Sequence, residues 1–188
     1  MDKDDREKNH RNLPICLMFQ DEARFGRLSE PRACWAHQEL RPIIKSALIR
    51  EYNYVFGAVA PKTGSCDFMI ADNMKTENMS LFLRQVSQAH RNNFIIMVVD
   101  GASTHRSKEL VVPKNMSLIL LPPYSPELNP TEMVWNILRR DCLANKYFKT
   151  LADPINGVEC GLNELLDNKK KIRTLTKWPW INKILNTT

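Results

Sequence analysis

The fold is decided by one stretch, Phe94-Ile-Ile-Met-Val-Val99-Asp100-Gly101, in which six consecutive apolar residues stop at an acid. An apolar run this short, with polar residues on both sides, predicts a buried β-strand. Just before it, apolar residues recur at helical spacing from about 77 to 91, which predicts an amphipathic helix with Thr76 as its N-cap. A helix that leads into a strand in this way predicts a crossover connection and parallel neighbouring strands.

Four further apolar segments extend the predicted sheet. Residues 14–19 form an apolar run that stops at Gln20-Asp21-Glu22, which predicts a buried strand ending just before Asp21. Residues 52–60 and 66–71 are joined by turn residues and predict a β-hairpin. Residues 118–121 form the last predicted strand, which ends at a pair of prolines.

Two helices are predicted after the last strand. The first begins at Asn129-Pro-Thr-Glu132, with Asn129 as the cap, Pro130 at the first helical position and Glu132 at the third. The second covers Pro154–Leu166. The resulting order, βββαβ(α)βα, predicts an α/β fold in which helices cover both faces of one mixed five-stranded sheet.

Composition limits the class of protein. The 188 residues are 43% hydrophobic and 26% charged, which is typical of one globular domain rather than of a disordered chain. No apolar run approaches the ~18–20 residues that span a bilayer, and residues 1–13 are too polar for a secretory signal. The five cysteines are an odd and widely spaced set, which favours reduced thiols in a cytosol. We therefore expect a cytoplasmic protein with a polar leader over 1–13, a main domain over 14–167 and a basic segment over 168–188.

Charge is distributed unevenly along the chain. Residues 168–188 carry six bases and no acids, which equals the whole net charge of +6. A basic end on an otherwise neutral body indicates an anionic polymer as partner. The alternative is a solvated face or a frayed tail, which charge alone does not exclude.

Three acids occupy corresponding places in the predicted topology. Asp21 follows the first strand, Asp100 follows the fourth, and Glu132 lies in the first turn of a helix. If those two strands are parallel neighbours, the three side chains meet at the sheet edge where α/β proteins bind ligands. Converging carboxylates need cations, and hard oxygen ligands select Mg²⁺ or Mn²⁺. Each acid also has a structural interpretation: a solvated loop for Asp21, a turn for Asp100, and a capping box with Asn129 for Glu132.

The sequence around these acids resembles the three acidic motifs of a known family. The blocks are Phe19-Gln-Asp-Glu-Ala-Arg-Phe25, Val98-Val-Asp-Gly-Ala-Ser-Thr-His-Arg-Ser107 and Leu121-Pro-Pro-Tyr-Ser-Pro-Glu-Leu-Asn-Pro-Thr-Glu-Met-Val-Trp135. From about Pro14 to Asp167, the chain resembles the DDE transposases of the mariner superfamily. The third block is the most specific, and a glutamate as the third acid is similar to the bacterial insertion-sequence branch.

The resemblance implies an RNase H-like fold and metal-dependent DNA cleavage and strand transfer, with Asp21, Asp100 and Glu132 as catalytic residues and metal ligands. It also implies two Mg²⁺ or Mn²⁺ ions, transposon-end and target DNA as partners, a homodimer, and a nucleoid-associated place in the bacterial cytoplasm. Family members usually carry paired helix-turn-helix modules before this domain. We therefore expect end recognition to be absent, or to come from a separate helix-turn-helix chain. The alternative functions are a DNA endonuclease without strand transfer and an inactive DNA-binding or dimerising remnant.

Other residues near the acids are candidates for accessory roles. His105 is predicted either to orient a phosphate or attacking water near the metals or to cap the following turn, and Asn129 to support the site. Glu22 is predicted to point away from the site, because successive residues of a strand face opposite sides. Bases that could contact DNA phosphates lie around the Glu132 helix and in the basic end; they are Arg139, Arg140, Lys146, Lys169, Lys170 and Lys171.

Overall fold

Five strands form one mixed sheet in the computed structural model, which describes residues 13–28, 30–45, 48–102, 105, 107–123 and 125–185. The strands are β1 (Ile15–Gly26), β2 (Tyr52–Ala60), β3 (Ser65–Ala71), β4 (Phe94–Val99) and β5 (Met116–Leu120). Their order in the sheet is β3-β2-β1-β4-β5. β1 is antiparallel to β2 and parallel to β4, and β5 is parallel to β4. The predicted α/β class and mixed five-stranded sheet are confirmed, whereas residues 1–12 of the predicted leader lie outside the described residues.

Helices pack against both faces of this sheet. They are α1 (Thr76–Ala89), α2 (Thr131–Leu138), a π-helical turn (Arg139–Leu143), α3 (Ala152–Leu166), α4 (Lys169–Thr176) and α5 (Pro179–Leu185), with a short 3₁₀ turn at Pro126–Leu128. α1 covers one face, and the helices from α2 onward cover the other. No helix in the described part of the chain is long and apolar enough to cross a membrane.

Alternating side chains on the strands divide the interior into two hydrophobic cores. In β1, Met18 lies in the core under α1, while Phe19 lies in the core under the later helices. Phe82 of α1 packs on Phe56 of β2, with ring centroids 5.9 Å apart. Burial of apolar area on both faces fixes the register of β1, because a slip by one residue would exchange its two faces.

The extent of β1 differs from the prediction. It does not end before Asp21 but continues to Gly26, because β2 pairs with it from Phe19 to Gly26. β4 pairs with β1 only as far as Phe19. Asp21 therefore lies inside a strand, just beyond the point where one of its two neighbours stops.

Two smaller predictions are also corrected. Thr76 is the first residue of α1 rather than its N-cap, since Lys75 occupies the cap position without a side-chain hydrogen bond. The optional helix between β4 and β5 is not found in the described residues of that connection, which forms turns. In one of these turns the His105 N–H donates to the Ala102 carbonyl at 3.1 Å.

The basic segment packs onto the rest of the chain. α4 begins with Asn168, whose side chain accepts a hydrogen bond from the Lys171 N–H at 2.9 Å. Ile172 of α4 and Ile181 of α5 are fully buried in the core under α2 and α3. The frayed-tail interpretation is therefore wrong for residues 168–185.

Candidate active site

One cleft brings together the three acids predicted from the sequence. Asp21, Asp100 and Glu132 line a cleft of about 480 Å³, together with Gly101, Ala102, Leu121, Pro122, Pro123, Ser125, Pro126 and Asn129. The cleft lies beyond the carboxyl end of β4, where its pairing with the parallel strand β1 stops. Open α/β sheets bind ligands at such edges.

Asp21 is fixed by the packing of a tryptophan. Its Oδ2 accepts a hydrogen bond of 2.9 Å from Nε1 of Trp135, and the residue is only 8% exposed. Gly57 lies opposite Asp21 in β2, and a Cβ at that position would come within 2.5 Å of the Trp135 ring. The missing side chain at Gly57 therefore lets the indole reach the carboxylate.

The electrostatic environment of Asp21 disfavours its ionised form. Burial, and then the negative charge of Glu132, raise its pKa from 3.8 to about 7, although the Trp135 hydrogen bond opposes them. Both carboxylates line the same cleft, so their negative charges produce a mutual repulsion there. A cation between them would relieve it.

Asp100 is held differently, by hydrogen bonds within its own loop. Its side chain is 49% exposed. The Ala102 N–H donates to Oδ1 at 2.9 Å, and Nδ1 of His105 lies 2.7 Å from the same oxygen. The His105 hydrogen bond, together with that of Ala102, holds the pKa of Asp100 below its usual value. Because both contacts fall on Oδ1, Oδ2 is the oxygen left for a ligand.

His105 connects Asp100 to a second acid. The side chain of His105 is fully buried, and its Nε2 lies 3.1 Å from Oε1 of Glu22. Burial lowers its pKa, but the bonds to Asp100 and Glu22 outweigh burial and raise it to about 10. Nε2 is thus taken by the Glu22 carboxylate, and Nδ1 by Asp100, whose backbone carbonyl lies 3.1 Å away in addition to the Oδ1 contact. Neither nitrogen is left for the phosphate, the water or the following turn suggested by the sequence.

Glu22 is outside the residues that line the cleft, as strand alternation predicts. The sequence contains no sign of its contact with His105, which is 83 positions further along the chain. Gly57 was also missed, although a signal existed: it is the single glycine in a strand of nine residues rich in aromatic and β-branched types. A glycine inside a strand often marks the close approach of another group.

Asn129 and Thr131 join the start of α2 to β1. The Asn129 Nδ2 donates to the Gln20 carbonyl at 2.9 Å, and Oγ1 of Thr131 donates to the Phe19 carbonyl at 3.0 Å. α2 begins at Thr131 with Pro130 in the N-cap position, so the prediction of Asn129 as the cap, Pro130 as the first helical residue and Glu132 as the third is wrong by one residue. Asn129 Oδ1 nevertheless accepts a hydrogen bond from the Thr131 N–H at 3.1 Å. Its own N–H donates to the Pro126 carbonyl at 2.9 Å, which leaves no donor for a reciprocal bond from Glu132. The capping-box interpretation of Glu132 is therefore wrong.

The bases predicted to contact DNA lie outside the described lining of the cleft. They are Arg139, Arg140, Lys146, Lys169, Lys170 and Lys171. Arg139 lies over the Phe25 ring, and Arg140 makes two hydrogen bonds with its neighbour Asp141. Lys169 and Lys170 are exposed on α4. The structure thus separates a group of bases around α2 that already have partners from a more open group on α4.

The fold has counterparts among solved structures. The Mos1 mariner paired end complex with Mn is similar with a TM-score of 0.54 and 13% sequence identity, over 86% of this chain and 56% of that chain. The five-stranded mixed sheet is the RNase H-like fold of transposase catalytic domains. The fold and the three acids at one sheet edge define the class of protein as an RNase H-like domain with a DDE-type cleft.

The family is shown by sequence. Residues 16–153 match the profile of the family described as DDE superfamily endonuclease. The uncharacterized protein y4pE/y4sA of Sinorhizobium fredii is 33% identical over 69% of this chain and 97% of its own length. The transposable element Tc3 transposase of Caenorhabditis elegans is 29% identical over 82% of this chain, which spans about half (51%) of that protein. The chain belongs to the DDE superfamily endonucleases, and its sequence is similar to that of a transposase of the mariner/Tc1 kind.

Proposed function

We propose that this chain is the catalytic domain of a bacterial insertion-sequence transposase that cleaves DNA and joins the new 3′ end to a target, using two divalent ions. The observation that carries the proposal is the convergence of Asp21, Asp100 and Glu132 on one cleft at the end of β4. Membership of the family and the likeness to the Mos1 structure that contains Mn support the reaction class and the metal.

The donor set of the cleft fits Mg²⁺ or Mn²⁺. All three candidate ligands are carboxylates, and oxygen is the donor atom that these ions prefer. The raised pKa of Asp21 beside Glu132 indicates uncompensated negative charge that a cation would neutralise. We propose Asp21, Asp100 and Glu132 as the ligands. When bound, such ions activate a water or 3′-hydroxyl and stabilise the departing oxygen of an in-line phosphoryl transfer.

The protein contributes to this reaction by positioning its acids. Trp135 holds Oδ2 of Asp21, while Asn129 and Thr131 tie the helix that carries Glu132 to the backbone of β1. Displacement at phosphorus depends on geometry and charge neutralisation, so no side chain has to act as a covalent nucleophile. We also propose that the chain transfers strands, that it acts as a homodimer, and that a helix-turn-helix module recognises the transposon ends.

A plasmid assay tests the reaction. The wild-type chain should nick supercoiled plasmid in Mg²⁺ or Mn²⁺ and join a duplex oligonucleotide with a free 3′-hydroxyl to it, whereas Glu132→Gln should do neither. The matched control is Glu127→Gln, an exposed acid outside the described lining of the cleft. Nicking without joining would favour the endonuclease, and DNA binding without cleavage in the wild type would favour the remnant.

DNA binding by α4 needs a test that spares the core. Deleting residues 168–188 would remove the buried Ile172 and Ile181, so substitutions are the better probe. Changing Lys170 and Arg173 together to Gln should reduce the slope of log K against log salt by about 0.9 for each DNA phosphate that the variant no longer binds. The control pair is Arg91→Gln with Lys114→Gln, two exposed bases outside α4 that precede β4 and β5 in the sequence. Equal slopes in both pairs would contradict DNA binding by α4.

A further inference from the structure

A buried chain of three side chains runs from β1 to the loop after β4. Glu22 Oε1 lies 3.1 Å from Nε2 of His105, and Nδ1 of His105 lies 2.7 Å from Oδ1 of Asp100. The Glu22 side chain is 3% exposed and that of His105 is fully buried. Glu22 is the strand neighbour of Asp21, so this chain mechanically connects the backbone positions that carry two of the three cleft acids.

The same three residues could be taken for a metal site, since one donor atom from each lies within 4.8 Å of the others. The hydrogen-bond pattern opposes that interpretation. A ring nitrogen binds a metal through its lone pair, whereas each nitrogen of His105 lies at hydrogen-bond distance from a carboxylate oxygen that can only accept. A metal ion bound by either nitrogen would therefore have to displace one of these two contacts.

Asp100 is the cleft acid that most needs such support. It follows β4 in a loop and is half exposed, so strand pairing does not fix its side chain. His105 and the Ala102 N–H both bind Oδ1, which orients the carboxylate and directs its other oxygen away from these donors. Hydrogen bonds to a ligating carboxylate commonly set its orientation in metal sites.

We propose that His105 and Glu22 are positioning residues that hold Asp100 for metal binding and fix its spacing from Asp21. This inference rests on the proposed function, because it assigns Asp100 as a ligand. His105 acts from behind the carboxylate through its two hydrogen bonds, and Glu22 acts through His105. Removing a hydrogen bond that supports a metal ligand typically weakens metal binding by about 10- to 100-fold.

Mn²⁺ binding to the full chain, followed by electron paramagnetic resonance, tests the role without any need for cleavage. His105→Ala should weaken Mn²⁺ binding by about 10-fold or more. His105→Asn keeps a donor near the position of Nδ1 but is too short to reach Glu22, so it should recover part of the affinity. Glu22→Ala should show a smaller loss than His105→Ala, and Glu22→Gln, which still offers an oxygen acceptor, should bind nearly as the wild type does.

His90 supplies a matched control. It also pairs with an acid, with Nε2 2.8 Å from Oδ2 of Asp67, but it lies at the end of α1 and outside the described lining of the cleft. His90→Ala should lower the melting temperature and leave Mn²⁺ affinity unchanged. If His105 had a purely structural role, His105→Ala would likewise lower the melting temperature without changing the Mn²⁺ affinity, and His105→Asn would not bind Mn²⁺ more tightly than His105→Ala.

Two results separate failure of this inference from failure of the proposed function. Wild-type Mn²⁺ affinity in His105→Ala, with weakened binding in Asp100→Asn, would overturn the positioning role and leave the ligand assignment standing. Undiminished binding in Asp100→Asn would overturn the ligand assignment itself. If His105→Ala does not fold, the comparison of Glu22→Ala with Glu22→Gln decides, and equal affinities in those two variants would overturn the role of Glu22.

Discussion

Asp21 and Asp100 occupy the same cleft but are held by opposite means. Asp21 lies within a paired strand, is almost fully buried, and meets an indole that packs over a glycine. Asp100 lies in a loop, is half exposed, and depends on a buried histidine and a backbone N–H. Packing therefore places the first acid at the cost of burying its own charge, while hydrogen bonds place the second with its side chain half exposed and bury its partners His105 and Glu22 instead.

The largest contrast is expected when each acid is made neutral. Asp21→Asn and Asp100→Asn should each reduce metal-dependent cleavage by at least about 100-fold, because a lost ligand removes several kcal/mol of charge stabilisation. In the absence of metal, the two substitutions should change the melting temperature differently. The pKa of Asp21 is raised to about 7, so at pH 8 the folded state carries a disfavoured charge that Asn relieves, and the melting temperature should rise.

Asp100→Asn should not raise the metal-free melting temperature, since the pKa of Asp100 is lowered and its ionised form is the one that His105 stabilises. Differential scanning fluorimetry at pH 8 in chelator measures both variants. Asp72→Asn, at an exposed position just after β3, is the control that should change neither cleavage nor stability. A fall in melting temperature for Asp21→Asn would show that its charge is compensated in the folded chain.

Removing the indole N–H of Trp135 should release the carboxylate of Asp21 and leave the hydrogen bonds of Asp100 unchanged. Trp135→Phe keeps an aromatic ring but loses the hydrogen bond to Asp21, which should lower the free energy of unfolding by about 1.5–3 kcal/mol. Urea unfolding measures the loss. Trp178→Phe removes a bond of 3.2 Å to a neutral carbonyl instead, and should cost about 0.5–1.5 kcal/mol. Equal losses in the two variants would argue against a charge-assisted bond at Asp21.

Two glycine substitutions test whether the packing of Trp135 over Gly57 holds Asp21 in place, with a smaller expected change in stability. Gly57→Ala would place its Cβ against the Trp135 ring and should cost about 1–3 kcal/mol of stability, with weaker Mn²⁺ binding. Gly157→Ala lies inside α3, where the nearest atom to its Cβ is 4.0 Å away, and should gain up to about 1 kcal/mol. Urea unfolding of both variants decides. A stable Gly57→Ala variant with normal metal affinity would show that Trp135 does not depend on that gap.

The sequence predicted the meeting of the acids because it depends on topology. The prediction was conditional on β1 and β4 being parallel neighbours, and the structure meets that condition, which brings Asp21 and Asp100 to one edge. The expectation that the crossover helix joins neighbouring strands is wrong, because it joins β3 to β4, and β2 and β1 lie between them in the sheet. The end of β1 was wrong because polar residues after Phe19 still pair with β2, and polarity alone does not show where pairing stops. The frayed-tail alternative for the basic end failed because single buried residues such as Ile172 anchor a helix without forming a visible apolar run.

Contacts between distant side chains could not be predicted. Glu22 and His105 lie 83 positions apart, and alternation along β1 correctly turned Glu22 away from Asp21 without showing what it would meet. The hydrogen bond from Trp135 to Asp21 could not be predicted either, since hydrogen-bond direction does not follow from hydrophobic spacing. Local sequence patterns therefore predict the strands and helices, while the hydrogen bonds that hold each acid are known only from the folded structure.

The central claim is that the cleft binds a divalent ion through Asp21, Asp100 and Glu132 while His105 stays on its two carboxylates. A crystal structure of the wild-type chain soaked in Mn²⁺, with anomalous difference maps, tests it most directly. We expect anomalous density in the cleft, with Oδ2 of Asp100 as a ligand and Oδ1 still in contact with His105. Density between Glu22, Asp100 and His105, with an imidazole nitrogen as ligand, would contradict it.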